Sequence, residues 1–339
     1  MDINRDSVSI QSIRDYRLDT IKAISICFVF LWHVNPVSSE NIIVKSIFSL
    51  LLHNIFLIAV PSFITVSLLL FFNNYKSKGI AYFKTRMLRL FKIFMFWFLI
   101  QNTIYILVQR EAPIFSLQLI FSGGPSLPIV GGSVFYFFSQ LIILTNAAFL
   151  FFLLPEKVKF PLSVIVVILT FSYFAASSTF GYKLPHSYLL SFVIYIPLSH
   201  YLPQNTRLIV KYRFVLLLLF AASISYEKIT KIMFDVIEQP YSRISIVIGV
   251  VLLFCMVYSY NSKENVYAKA LSMYSLGIFS IHKYFQLLSY YIFNEISSTW
   301  IHSGNIINLQ YPFIFIGTLT FTLIFIYFMK KSYLKPFIS

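Results

Sequence analysis

The sequence predicts an all-α, polytopic integral membrane protein with about ten transmembrane helices and both termini in the cytoplasm. Of its 339 residues, 58% are hydrophobic and only 12% are charged, whereas a soluble domain has about 25% charged residues. The mean hydropathy is +0.78. The apolar residues also form uncharged blocks, and the block 311–329 is long enough to cross a hydrocarbon core of about 30 Å.

The apolar blocks define ten predicted transmembrane segments. They cover residues 21–38, 47–72, 91–109, 134–154, 161–178, 187–202, 214–230, 244–260, 272–293 and 311–329. Two of them are interrupted, the sixth by Pro197 and the seventh by Glu227 and Lys228 near its end. If neither the sixth nor the seventh segment crossed the membrane, the remaining topology would be unchanged. If only one of them failed to cross, the C-terminal half would have the opposite orientation.

The net charge of +15 is explained by topology and does not indicate nucleic acid. With the N-terminus in the cytoplasm, 19 of the 27 Lys and Arg residues fall in cytoplasmic segments, as the positive-inside rule predicts. Membrane lipid is therefore the expected partner of these charges. We predict a single membrane domain over 1–339, with a cytoplasmic N-terminal segment 1–20 and a cytoplasmic tail 330–339.

The two cysteines, Cys27 and Cys255, both lie in apolar segments. They form neither a disulfide framework nor the spacing of a metal site. We therefore expect buried packing residues and predict no metal site.

The first helix contains the densest group of ionisable residues, Asp19, Lys22 and His33. At about 100° per residue, Asp19 and Lys22 are neighbours, and His33 lies on the same face as Lys22, about 16 Å further along the axis. Ionisable groups inside a span cost several kcal/mol and often mark a site. The alternative interpretation is an interfacial ion pair and a polar helix end.

A second cluster, Tyr82–Lys92, lies in the predicted cytoplasmic loop between the second and third segments. Arg86 and Arg89 are one helical turn apart, and Lys92 continues the same stripe. The cluster could contact anionic lipid headgroups. Alternatively, its two guanidinium groups could bind phosphates, for which their planar, bidentate geometry is suited.

Four separated segments together resemble acyltransferase family 3, whose bacterial membrane proteins acylate O-antigens, capsules and other surface glycans. The segments are Arg14–Ile26 continued by Trp32-His33, then Val60–Leu69, Arg86-Met87-Leu88-Arg89 and Tyr274–His282. Three positions depart from the family pattern: Lys22 replaces an Arg, Leu68 a Gly, and Phe135-Tyr136 a Trp-Phe pair. The chain resembles the stand-alone type, which has no additional C-terminal domain.

The resemblance implies an O-acyltransferase of the bacterial cytoplasmic (inner) membrane. It implies that His33 is the catalytic base and that Asp19 is the second catalytic residue. Asp19 and Lys22 would order the inner end of the first helix. Arg14, Arg86 and Arg89, with Lys22, would bind the CoA phosphates. Acyl-CoA, with acetyl-CoA as the family's commonest donor, would be a co-substrate, and no tightly bound cofactor is expected. The acceptor would be a glycan or a polyprenyl-linked saccharide.

Other functions fit parts of the same pattern. A transporter or flippase of lipid-linked saccharide also needs many helices, but it would scatter charges along a central cavity. A glycan polymerase usually has a large outer loop, and a non-catalytic assembly partner is a third alternative. His282 is either a second polar group of the site or a structural histidine, while His53 and His200 are expected to be structural.

Overall fold

The computed structural model describes residues 15–34, 42–182, 187–236, 239–260, 264–300 and 307–339. In these ranges the chain is helical, with one isolated β-bridge between Leu127 and Gly131. The helices are α1 (Tyr16–His33), α2 (Ile42–Leu50), α3 (Ala59–Gln109), α4 (Leu117–Phe121), α5 (Tyr136–Leu153), α6 (Glu156–Phe180), α7 (Ser187–Val193), α8 (Tyr195–Tyr201), α9 (Thr206–Lys211), α10 (Arg213–Phe234), α11 (Ile244–Ser259), α12 (Val266–Trp300) and α13 (Ile307–Met329). A π-helical turn, Leu51–Ile55, and a 3-10 turn, Phe56–Ile58, join α2 to α3.

The all-α prediction is confirmed for the described residues. Where the structure describes them, the ten predicted segments fall mainly on helix, and residues 35–38 of the first lie outside the described residues. Four stretches are long and apolar enough to cross a membrane, namely Ser46–Gln109, Tyr136–Leu153, Glu156–Phe180 and Leu309–Met329, and two shorter apolar helices cover Leu189–Tyr201 and Ile244–Ser259. The number of ten spans and the side on which the termini lie stay predictions.

The connection between the second and third predicted segments differs from the expected loop. α3 continues through it and folds back at Gly79, whose backbone has φ 63° and ψ −152°. Positive φ is readily adopted by glycine, which has no Cβ. Arg86, on the second arm, donates to Ser67 on the first, so the predicted loop is a helical hairpin.

The connection between α3 and α5 is irregular apart from the short helix α4. Gly123 has φ +77°, and a Cβ there would lie 2.3 Å from the carbonyl carbon of Phe135. Two side chains fix the connection to the helices: Gln101 donates to the Pro125 carbonyl at 2.6 Å, and Lys283 donates to the Gly132 carbonyl at 2.6 Å.

α1 and α12 pack against each other and run in the same direction. Near the start of α1, Asp19 accepts a hydrogen bond from Ser272 at 2.6 Å. At its end, the His33 carbonyl accepts one from Gln286 at 2.7 Å. Since both contacts advance along the two helices together, two segments of the family resemblance lie side by side.

A buried ion pair, which the sequence did not reveal, joins α10 to the start of α11. The side chains of Glu227 and Arg243 are 1% and 3% exposed, with a nitrogen–oxygen distance of 2.6 Å. Arg243 also donates to the His53 carbonyl and to Asn54 Oδ1, both at 2.5 Å. The pair therefore anchors the π-helical turn.

The cysteine interpretation is correct for Cys255, which is buried, and wrong for Cys27, which is exposed. The apolar face of α1 that carries Cys27 points away from the helix bundle, and a span can present such a face to lipid.

Candidate active site

A cavity of about 1680 Å³ lies where the first turns of α1 meet α3, α9 and α12. Among the described residues, its wall carries five cationic side chains and two acidic side chains. The cations are Arg17, Lys22, Arg86, Arg89 and Arg207, and the carboxylates are Asp15 and Asp19. The excess of positive charge makes the cavity suited to an anionic ligand.

The N-terminus of α1 contributes an ordered charge pair to this cavity. The Asp15 carboxylate caps the helix by accepting from the backbone N–H of Arg17 at 3.0 Å, and it also accepts from Arg17 Nε at 2.9 Å. This hydrogen bond raises the pKa of the Arg17 guanidinium, which lies before the first predicted span. The guanidinium stacks over the Tyr258 ring at 4.4 Å. Arg14, which was predicted to bind the donor, lies outside the described residues.

The next turn of α1 carries Asp19 and Lys22, and both side chains line the cavity. Asp19 is 7% exposed, and its bond from Ser272 ties α1 to α12. The carboxylate therefore has a structural contact in addition to its place in the cavity wall. The ordering of this end of the helix by Asp19 and Lys22, and their part in binding or catalysis, stay predictions.

Arg86 and Arg89 also line the cavity, on the second arm of α3. Arg86 donates to Ser67 Oγ at 2.7 Å and to the Ser67 carbonyl at 3.1 Å, while its Nε is buried without a hydrogen-bond partner among the described residues. The exposed Arg89 donates to the backbone oxygen of Ser339. Arg86 is thus held in place by its own chain, and Arg89 is the more accessible of the two cations.

His33 does not line the cavity. Its imidazole lies beside that of His282, with ring centroids 5.1 Å apart. His282 is fully buried, and its Nδ1 lies 3.0 Å from the Ile278 carbonyl. Because a carbonyl can only accept, Nδ1 carries a proton in this contact, and Nε2 of the neutral ring is then a proton acceptor. Nε2 has no hydrogen-bond partner among the residues the structure describes. An unsatisfied buried acceptor is costly, so it requires an explanation.

Aromatic rings separate the cavity from the histidine pair. Phe279 lines the cavity, and its ring centroid is 6.3 Å from that of His282. Phe137 and Phe138 also line the cavity and contact Phe279, with centroids 5.2 and 6.3 Å away. Phe279 therefore lies between the cavity, which Lys22 lines, and His282. We call Phe137, Phe138 and Phe279 the aromatic wall.

The other two histidines lie apart from this pair. The His200 ring packs edge-on against Phe72 and Phe151, at 5.3 and 5.5 Å. His53 is exposed on the π-helical turn, and its ring meets Trp32 at 5.6 Å. His200 has the surroundings of a packing residue, whereas His53 lies next to the helix end that carries His33.

Sequence reasoning missed Arg207, Phe279 and the stacking of Arg17 on Tyr258. Arg207 is an ordinary cytoplasmic cation in the sequence, and only the position of α9 brings it to the cavity. For Phe279 a signal was present. Ser272, Phe279 and Gln286 are spaced by seven, which places them on one helix face.

The chain matches a known protein family over most of its length. A family model described as an acyltransferase domain, acyltransferase family 3, covers residues 15–327. No curated protein and no solved structure shows significant similarity to the chain.

Proposed function

The chain belongs to acyltransferase family 3 and is an acyltransferase, and on that premise we propose that it moves an acyl group from acyl-CoA to a hydroxyl of a surface or lipid-linked glycan. The donor enters the cationic cavity from the cytoplasm, and transfer takes place at His33. One observation carries the proposal: α1 lines the cationic cavity with Lys22 and, further along, places His33 5.1 Å from a buried histidine.

The donor side of the proposal rests on charge and size. Coenzyme A carries phosphates at one end and a flexible thiol arm at the other. The cations of α1, α3 and α9 surround a cavity of about 1680 Å³, which exceeds the usual range for small-molecule pockets of about 300–1,000 Å³. Arg89 and Arg207 are exposed on its wall and provide the bidentate geometry that phosphates favour. With the phosphates bound there, the thiol arm of coenzyme A points toward the aromatic wall.

The chemistry requires a base, which His33 provides. A neutral imidazole accepts the proton of the acceptor hydroxyl while that oxygen attacks the thioester carbonyl carbon. The tetrahedral intermediate collapses, the carbon–sulfur bond breaks, and the CoA thiolate takes the proton from the imidazolium to leave as free thiol. The acyl group is then an ester of the glycan, and His33 is neutral again.

His282 supports the same step from the neighbouring helix. Its unprotonated Nε2 can accept a hydrogen bond from the incoming hydroxyl or from His33. This role accounts for a buried acceptor that is otherwise unsatisfied. The Gln286 bond to the His33 carbonyl fixes the end of α1 against α12, so the two rings keep their separation.

The test is the ester content of the glycan in cells that lack the chain, complemented with the wild type or with His33→Ala. The proposal expects acyl esters with the wild type, none with His33→Ala, equal amounts of both proteins in the membrane, and normal polymer length throughout. Esters formed by His33→Ala would refute the role of the imidazole. Shortened or lost polymer in the cells lacking the chain would favour the flippase or polymerase alternatives instead.

A further inference from the structure

Phe279 occupies the middle of the route between the two halves of the site. It lies seven residues, about 10 Å, from both Ser272 and Gln286. Ser272 bonds to Asp19 at the cavity, and Gln286 bonds to the His33 carbonyl. A group that passes along α1 from Lys22 toward His33 therefore passes the level of Phe279 about halfway.

The ring is firmly packed and has apolar neighbours. Phe279 is 4% exposed, and Phe137 and Phe138 are 7% and 1% exposed. On the far side, His282 contacts Phe279 and also Phe30, with ring centroids 6.3 Å apart in both cases. The end of the cavity is thus lined by buried aromatic rings, unlike its cationic mouth. An acyl chain fits such a surface, whereas a sugar or a phosphate does not.

We propose that Phe279 is a specificity-determining residue that limits the length of the transferred acyl group. The inference rests on the proposed function. The ring closes the apolar end of the cavity, so the thioester can approach the histidines only in the space that the ring leaves. A short acyl group fits there, and a longer one collides with Phe279 and its two aromatic neighbours.

The size of the effect follows from the chemistry of apolar pockets, in which one methylene changes discrimination by about 10–200-fold. Phe279→Ala removes the whole ring, and Phe279→Leu removes part of it. Both variants are expected to raise the kcat/KM ratio for butyryl-CoA over acetyl-CoA, by about tenfold or more for Phe279→Ala. The milder Phe279→Leu is expected to shift the ratio in the same direction, by less.

Phe174→Ala is the matched control. Phe174 is fully buried in α6 and packs on Phe171 and Tyr173, away from the cavity wall. Truncating it creates a comparable void without touching the route along α1. The control should alter protein stability while leaving the donor ratio unchanged.

The experiment measures transfer from acetyl-, butyryl- and hexanoyl-CoA by the full-length protein in membranes. A shifted ratio in both Phe279 variants, with an unshifted ratio in Phe174→Ala, supports the proposal. An unchanged ratio in Phe279→Leu that still transfers acetyl groups overturns it and leaves the proposed function intact. Wild-type protein that transfers from no acyl-CoA would instead overturn the proposed function.

Discussion

Replacement of Glu227 by Ala removes the carboxylate from a fully buried ion pair and is expected to destabilise the protein. That carboxylate accepts two hydrogen bonds from Arg243, at 2.8 and 2.6 Å. It also accepts from the backbone N–H of Ser245 at 2.8 Å and from its hydroxyl at 2.5 Å. The variant removes the Glu227 carboxylate from the buried guanidinium and the acceptor from the Ser245 N–H.

The expected magnitude is about 3–5 kcal/mol, which is the usual cost of removing one partner of a buried pair. Because desolvating two charges is itself costly, replacing both partners by apolar residues often costs little. The double variant Glu227→Leu/Arg243→Met should therefore regain much of the stability lost by Glu227→Ala, although it loses the Arg243 bonds to His53 and Asn54.

The assay is thermal or denaturant unfolding of the purified protein in detergent, followed by tryptophan fluorescence. A midpoint for Glu227→Ala that equals the wild-type midpoint would refute the energetic reasoning. A double variant less stable than Glu227→Ala would show that the bonds from Arg243 to the π-helical turn outweigh the ion pair.

Three further perturbations test the cavity and the backbone around it. The double variant Arg86→Ala/Arg89→Ala should raise the KM for acyl-CoA by about tenfold or more, because each hydrogen bond to a charged group contributes about 1.5–3 kcal/mol. The control is Lys92→Ala, which lies on the same helical stripe but off the cavity wall and should leave this KM unchanged. Gly277→Val places a Cβ about 2.7 Å from Ile338 and should raise the rate at which protease cleaves the segment 330–339 above the wild-type rate. Gly123→Ala, which meets the Phe135 backbone, should lower the unfolding midpoint more than Gly131→Ala, where φ is also positive but a Cβ meets no atom within 4 Å.

Much of the helical architecture was predictable because a hydrocarbon solvent requires long apolar runs. The register of α1 was also predictable, since the 3.6-residue period alone places Lys22 and His33 on one face. The residues that contact Asp19 and His33 were not predictable from the sequence. Ser272 and His282 are distant in sequence, and only the packing of α12 beside α1 brings them to Asp19 and His33.

The errors have physical causes. The predicted loop after residue 72 is polar, and polarity cannot distinguish a solvated helix from an irregular connection, so the helical hairpin at Gly79 was missed. The Glu227–Arg243 pair was missed because each residue alone looks like the polar end of a segment. Their burial depends on the π-helical turn, which the sequence does not indicate.

The most direct test of the account is acyl transfer in sealed membrane vesicles of defined orientation, supplied with radiolabelled acetyl-CoA, which does not cross a bilayer. We predict that wild-type protein esterifies the glycan only in inside-out vesicles, where the Arg89 face of the cavity meets the donor. His33→Ala should bind acetyl-CoA in the same vesicles without transferring the label. Transfer in right-side-out vesicles, or transfer by His33→Ala, would contradict the account.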